Sequence, residues 1–144
     1  MTDWRPVTAE DCAFVQHCIE VLEEESFDSA LFASKYRRLL EAGHYHSFII
    51  LHNNEACGLI GISIADLMHH ERPVAEIQEF IVFENFRNQK IGEQILSKAL
   101  VFAQELGCEQ VELSSRLKRE AAHRFYLNNG LLQTHYKFSF SFGS

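Results

Sequence analysis

A chain of 144 residues with 47% hydrophobic and 23% charged residues is sized and composed for one domain around a single core. Its net charge of −7 argues against broad binding to nucleic acid or to anionic membranes, which both need basic surface. No apolar run reaches the roughly 20 residues of a membrane-spanning helix, and the N-terminal stretch lacks the basic-then-apolar pattern of a secretory signal. The expectation is therefore a single cytoplasmic domain spanning residues 1–144. Cys12, Cys18, Cys57 and Cys108 are scattered, without C-x-x-C spacing, and read as reduced thiols rather than metal ligands or nucleophiles.

In chain order, Trp4 to Val7 reads as a first strand. Thr8 caps a helix whose apolar positions Phe14, Val15, Cys18, Val21 and Leu22 recur at helical spacing. A second helix is predicted over Ser29 to Glu41. His46 to Leu51 and Ala56 to Ala65 form a hairpin through His52-Asn53-Asn54-Glu55. Ala75 to Phe83 is the next strand, and Ile91 to Leu106 a helix closed by Gly107. Gln110 to Ser114 reads as a strand and Arg119 to Asn129 as a helix closed by Gly130. Leu131 to Phe142, with Tyr136, Phe138, Phe140 and Phe142 in strict alternation, is predicted to supply one or two last strands. The order β-α-α-β-β-β-α-β-α-β is a mixed α/β layer with a largely antiparallel first half. For the last aromatic strand two readings stand side by side: a homodimer contact, since such an edge is a liability in a monomer, or plain core.

The densest chemistry lies between Glu76 and Gly92. The apolar run Phe80-Ile81-Val82-Phe83 ends in a polar turn, Arg87-Asn88-Gln89-Lys90, that opens a helix at Ile91-Gly92. Such a turn presents backbone N–H groups and a favourable dipole to an anion. Glu76 and Glu79 sit on the preceding strand, and simple alternation puts Glu79 on the face of Ile77 and Ile81, opposite Glu76 and Gln78.

With the element order, this strand-turn-helix resembles the first marker of the GNAT superfamily of acyl-CoA-dependent N-acetyltransferases, Gln/Arg-x-x-Gly-x-Gly/Ala. Here it reads Arg87-Asn88-Gln89-Lys90-Ile91-Gly92, with Lys90 where Gly is usual. Ala122-His123-Arg124-Phe125-Tyr126-Leu127-Asn128-Asn129-Gly130-Leu131 resembles the family's second marker, with Leu131 replacing the usual aromatic residue. Within the superfamily the chain is similar to the aminoalkylphosphonate N-acetyltransferases. Glu76-Ile77-Gln78-Glu79, Glu112-Leu113-Ser114, Lys118-Arg119, the Ala122 to Leu127 run, His135 and the pair His69-His70 carry that likeness.

The resemblance implies a GNAT-like, mostly antiparallel sheet flanked by helices, with acetyl-CoA as co-substrate. The pantetheine arm is expected along Phe80, Ile81 and Val82, and the pyrophosphate at Arg87, Asn88, Gln89, Lys90, Ile91 and Gly92. Tyr126 is expected to protonate the departing thiolate, and Phe125 beside it to pack. Glu79 is the candidate general base, directly or through a water, with Glu76 as its rival. Glu76, Ser114, Lys118 and Arg119 are assigned to the acceptor, although the basic pair also suits the cofactor's 3′-phosphate. Members of the resembled group can depend on a divalent metal. Adjacent His residues on a strand point to opposite faces, so His69 and His70 are expected to line substrate or structure, and no metal ligand is assigned. His123, three residues before Tyr126, is the other histidine beside the expected site. The implied reaction moves the acetyl group from acetyl-CoA to a small primary amine, an aminoalkylphosphonate first, by direct attack in a ternary complex. Other small amines, a protein acceptor, or a non-catalytic acyl-CoA-binding regulator are the alternatives.

Overall fold

The computed structural model describes residues 1–143. The chain divides into two compact units, Met1–Leu113 and a second beginning at Ser114. The first holds β1 (Thr2–Pro6), α1 (Cys12–Glu23), α2 (Ser29–Glu41), β2 (Tyr45–His52), β3 (Glu55–Ala65), β4 (Val74–Val82), α3 (Ile91–Glu105) and β5 (Gln110–Leu113). The strands form one sheet in the order β1-β2-β3-β4-β5, antiparallel except for the parallel pair β4 and β5. Each element lies within a few residues of its sequence-predicted span.

Local chemistry accounts for the boundaries. The Asp28 carboxylate accepts the Leu31 N–H at 2.9 Å and starts α2. Thr8 opens a 3-10 turn, Ala9–Asp11, ahead of α1, and its N–H donates to Asp11 Oδ2 at 2.8 Å. Between β2 and β3, Asn53 and Asn54 both take positive φ, 51° and 67°, the two-residue turn whose twist matches a hairpin.

The sheet separates two cores. On the α1/α2 face, Ile49, Leu59 and Ile81 align across β2, β3 and β4 and pack with Val15, Cys18, Phe32 and Tyr36. On the other face, Trp4 stacks on Phe48 at 4.0 Å between ring centroids, and Phe102 of α3 meets Phe48 edge-on at 5.3 Å. Ile91, Ile95, Leu96, Ala99 and Ala103 form the buried side of α3.

A bulge in β4 overturns the simple alternation. Gly61 pairs with Glu79, yet Ile62 pairs with Ile77, which leaves Gln78 as an extra residue. One extra residue shifts the side-chain phase of all that follows. The rows Ser47–Gly61–Glu79 and Tyr45–Ser63–Glu76 therefore lie on the α1/α2 face, and Ile77 falls on the α3 face with Ile62 and His46. Glu79 shares its face with Ile81 as expected. Contrary to the expectation from simple alternation, it also shares it with Glu76 and not with Ile77.

The second unit contains α4 (Glu120–Asn128). Gly130 takes φ 92°, and the Leu131 N–H returns to Tyr126 O at 3.1 Å, closing the helix as its sequence predicts. The strand expected over Leu131 to Phe142 does not form: residues 131–143 carry no regular secondary structure. Tyr136, Phe138, Phe140 and Phe142 are 81–91% exposed. Alternation specifies a face, but a strand also needs a partner for its backbone groups.

Candidate active site

Two glycines of β3 let β4 approach closely. A Cβ on Gly58 would collide with the Ile81 carbonyl, and one on Gly61 with both Glu79 Oε1 and the Tyr45 hydroxyl. The missing side chain at Gly61 is the space in which these two polar groups meet. The Tyr45 hydroxyl donates to Glu79 Oε1 at 2.5 Å. Tyr45 belongs to the neighbouring row, so its ring leans diagonally across the gap. On Glu79's own row, Ser47 is buried, and its hydroxyl lies beside the Tyr45 phenol, whose rise it partly offsets.

Burial raises the Glu79 carboxyl above the usual carboxylate range, and the charges of Glu23 and Glu76 add to the rise. The Tyr45 hydrogen bond and the Lys35 charge oppose it. The Tyr45 phenol is itself pushed up, first by burial and then by Glu79. It is a neutral donor at working pH. A carboxylate with a raised pKa, held by a neutral donor, suits proton abstraction from an ammonium group. Sequence reasoning singled out Glu79 as candidate base but not its contact with Tyr45. The available signal was Gly61, an isolated glycine within an apolar strand, which marks a close approach.

Beyond the bulge the sheet changes character. β5 pairs with β4 only over Val74–Ile77, so the ladder stops before Phe80, Ile81 and Val82. The chain then passes through the 3-10 turn Glu84–Phe86 into the start of α3. Arg87 Nε donates to Val82 O at 3.2 Å, tying the turn to the strand end. Asn88 and Lys90 both take the left-handed conformation, with φ 65° and 62°. Lys90 stands where the resembled motif has glycine, and its positive φ supplies the physical reason for a glycine there. Ile91 is buried, while Asn88, Gln89 and Lys90 are exposed at the N-terminus of a 15-residue helix. This turn fits a pyrophosphate: its backbone N–H groups, the helix dipole and two cationic side chains all favour an anion.

Of the remaining expected residues, Glu76 lies half-buried on β4, on the Glu79 face. Ser114, Lys118 and Arg119 belong to the second unit, as does Tyr126. Arg119 stands at the start of α4, where its carbonyl accepts the His123 N–H at 3.1 Å. The His123 ring bonds the Arg116 carbonyl at 2.8 Å, which fixes the loop ahead of α4. Phe125 and Tyr126 meet edge-on at 5.5 Å. Burial raises the Tyr126 phenol, against a smaller lowering by Arg119, so it is protonated at neutral pH.

The histidine pair does not make a metal centre. His70 Nδ1 lies 3.0 Å from Glu109 Oε2, and Glu109 Oε1 accepts the Arg72 N–H at 2.6 Å. Among the described residues no three His, Cys, Asp or Glu side chains gather in a way that could hold an ion. The described residues therefore do not fit a divalent metal held by side chains of this chain.

The sequence profile of the Acetyltransferase (GNAT) family matches residues 12–131. The chain belongs to the GNAT family. It is 36% identical over 135 residues to the aminoalkylphosphonate N-acetyltransferase of Salmonella typhimurium, covering 94% of this chain and 88% of that protein. Among solved structures, a transcriptional regulator from Bacillus halodurans C-125 matches with TM-score 0.89 at 20% identity, over 99% of this chain and 100% of that one. The aminoglycoside enzyme AAC(6')-Iy, bound to a CoA bisubstrate analogue, matches with TM-score 0.84 at 18% identity, over 100% of this chain and 99% of that one. At such identities these two report the fold alone.

GNAT membership makes the protein an acetyl-CoA-dependent N-acetyltransferase. The family match spans both compact units, from α1 through α4. No helix among the described residues is long and apolar enough to cross a membrane.

Proposed function

We propose that this GNAT enzyme acetylates the primary amine of an aminoalkylphosphonate, by direct attack within a ternary complex, and that residues 1–144 work as one acetyltransferase domain. The substrate class rests on the relative that matches along nearly the whole chain and bears that activity in its name. The chemistry rests on Glu79, a carboxyl of raised pKa two residues past the end of the β4–β5 ladder and next to Phe80.

Glu79 takes a proton from the substrate ammonium, and Glu76, on the same face, attracts that ammonium. The freed nitrogen attacks the thioester carbonyl, which a backbone N–H of Ile81 or Val82 polarises. The C–N bond forms, the C–S bond breaks, and Tyr126 gives its proton to the departing sulfur. Tyr126 recovers a proton as the amide nitrogen loses its second one, so each turnover releases one proton. Phe80, Ile81 and Val82 carry the pantetheine arm, and Arg87 to Gly92 the pyrophosphate. Ser114, Lys118 and Arg119 hold the phosphonate through charge-assisted bonds. Cys18 and Cys57 are buried, and burial raises them to about 12 and about 11, which disfavours a covalent route through either.

The deciding experiment follows CoA release from acetyl-CoA with aminomethyl- and aminoethylphosphonate beside polyamines, amino sugars and amino acids. Preference for the phosphonates is expected. Turnover of other amines alone would sink the substrate class and leave the family chemistry standing. The reading includes a cytoplasmic setting and a homodimer joined through the exposed aromatic segment Tyr136 to Phe142. Sedimentation of the intact chain as a monomer at micromolar concentration would exclude that dimer.

A further inference from the structure

We propose that Tyr45 is a positioning residue for the reaction: its hydroxyl, reaching over Gly61, pins Glu79 Oε1 and presents Oε2 to the substrate amine. The proposal rests on the reading of Glu79 as base and names the device that makes it effective. Three observations carry it. The hydroxyl donates to Oε1 at 2.5 Å, at the short end for such bonds. The space for that contact exists only because residue 61 has no side chain. The Gln78 bulge turns Glu79 toward this gap, onto the α1/α2 face.

A carboxylate on a free side chain samples several rotamers, and each unproductive one lowers the fraction of attack-ready complexes. Ser47, Glu79's neighbour along the row, makes no hydrogen bond to it. The groups that act on Glu79 from the surrounding elements are Tyr45 of β2, Glu76 of β4, Glu23 of α1 and Lys35 of α2. Of these, Tyr45 is the one that makes a hydrogen bond to it. Glu23 and Glu76 favour its protonated form, whereas Tyr45 favours the carboxylate, so the same contact keeps the base ionised and aimed.

The test uses Tyr45→Phe, which keeps the ring and removes the hydroxyl, in the full chain. Two quantities are read: the Glu79 carboxyl titration by carbon-13 NMR without substrate, and the pH profile of kcat/KM. Both midpoints are expected to move upward in Tyr45→Phe. The kcat should fall about tenfold at neutral pH, with the acetyl-CoA KM unchanged. Gly61→Ala, which forces the same two oxygens apart, should move both midpoints in the same direction. An unmoved NMR midpoint in both variants would reduce Tyr45 to packing and overturn the proposal. A moved NMR midpoint with an unmoved kinetic profile would overturn it as well, by separating Glu79 from the rate. Full activity of Glu79→Gln would instead remove Glu79 as base. That failure is distinct, because the NMR response of the Tyr45–Glu79 contact would persist.

Discussion

The middle of β4 and the turn that follows it are a few residues apart and are built on opposite principles. Around Glu79, half-buried on β4, the proposed working parts are side chains: a carboxyl and a phenol that meet where Gly61 has no Cβ. At Arg87 to Gly92 the proposed working parts are mainly backbone groups of an exposed turn, with Asn88 and Lys90 in left-handed conformation. Proton transfer needs a group of tuned affinity, and burial is what tunes it. Holding a doubly charged pyrophosphate needs many weak donors, which a helix start provides whatever its side chains. The first region should therefore fail on the change of a single atom, and the second should tolerate most single changes.

The harshest test of this contrast is Glu79→Gln. The substitution keeps shape and removes the proton acceptor, so kcat should fall on the order of 100-fold or more. Stability should move the other way. Burial raises the folded-state pKa of Glu79 above its unfolded value, so the wild type is stabilised relative to its ionised form only below the unfolded pKa. That stabilisation is lost as pH rises through the folded pKa. Glu79→Gln should thus melt higher than the wild type in mildly alkaline buffer, with the gap closing in acid. Equal melting at every pH would show that ionised Glu79 carries no burial cost, and the contrast with the exposed turn would collapse.

Tyr126→Phe sharpens the comparison by removing a proton donor without altering either region of β4. Turnover should drop roughly tenfold to 100-fold, while acetyl-CoA binding measured by calorimetry stays unchanged. Unchanged turnover would take Tyr126 out of the mechanism. Arg87→Ala comes next. It removes a cation and the bond to Val82 O, and the acetyl-CoA KM should rise about tenfold with kcat nearly intact. A loss confined to kcat would mean that the turn shapes the reacting centre and is more than a cradle.

The sequence made most of this legible because most of it is written in local patterns. The helices showed in their apolar spacing, the hairpin in Asn53-Asn54, and the strand, turn and helix start of the proposed cradle in an apolar run followed by a polar turn. What escaped was non-local. The Gln78 bulge is a property of the register between β3 and β4, and no pattern within β4 alone announces it. Its consequence, Glu76 and Glu79 on one face, was hidden with it. Tyr45 precedes Glu79 by 34 residues and meets it only through Gly61. The aromatic alternation at Tyr136 to Phe142 erred in the other direction. The pattern is present in the chain, but pairing is decided by what lies alongside.

The smallest expected effect is the most discriminating for the cradle. Lys90 sits exposed at φ 62°, at the N-cap of α3. Lys90→Gly relieves the crowding that a Cβ meets in the left-handed region, and the freer unfolded chain offsets much of that gain. Stability should therefore change by less than about 1 kcal/mol. The backbone N–H groups remain in place. What goes is one exposed ammonium, whose pull on a solvated phosphate is weak and screened by salt. The acetyl-CoA KM should rise by no more than about threefold, and the rise should vanish in high salt. If Lys90→Gly instead weakened acetyl-CoA as much as Arg87→Ala does, side-chain charge rather than backbone would be holding the pyrophosphate. The turn would then depend on single side chains, as the Glu79–Tyr45 pair does.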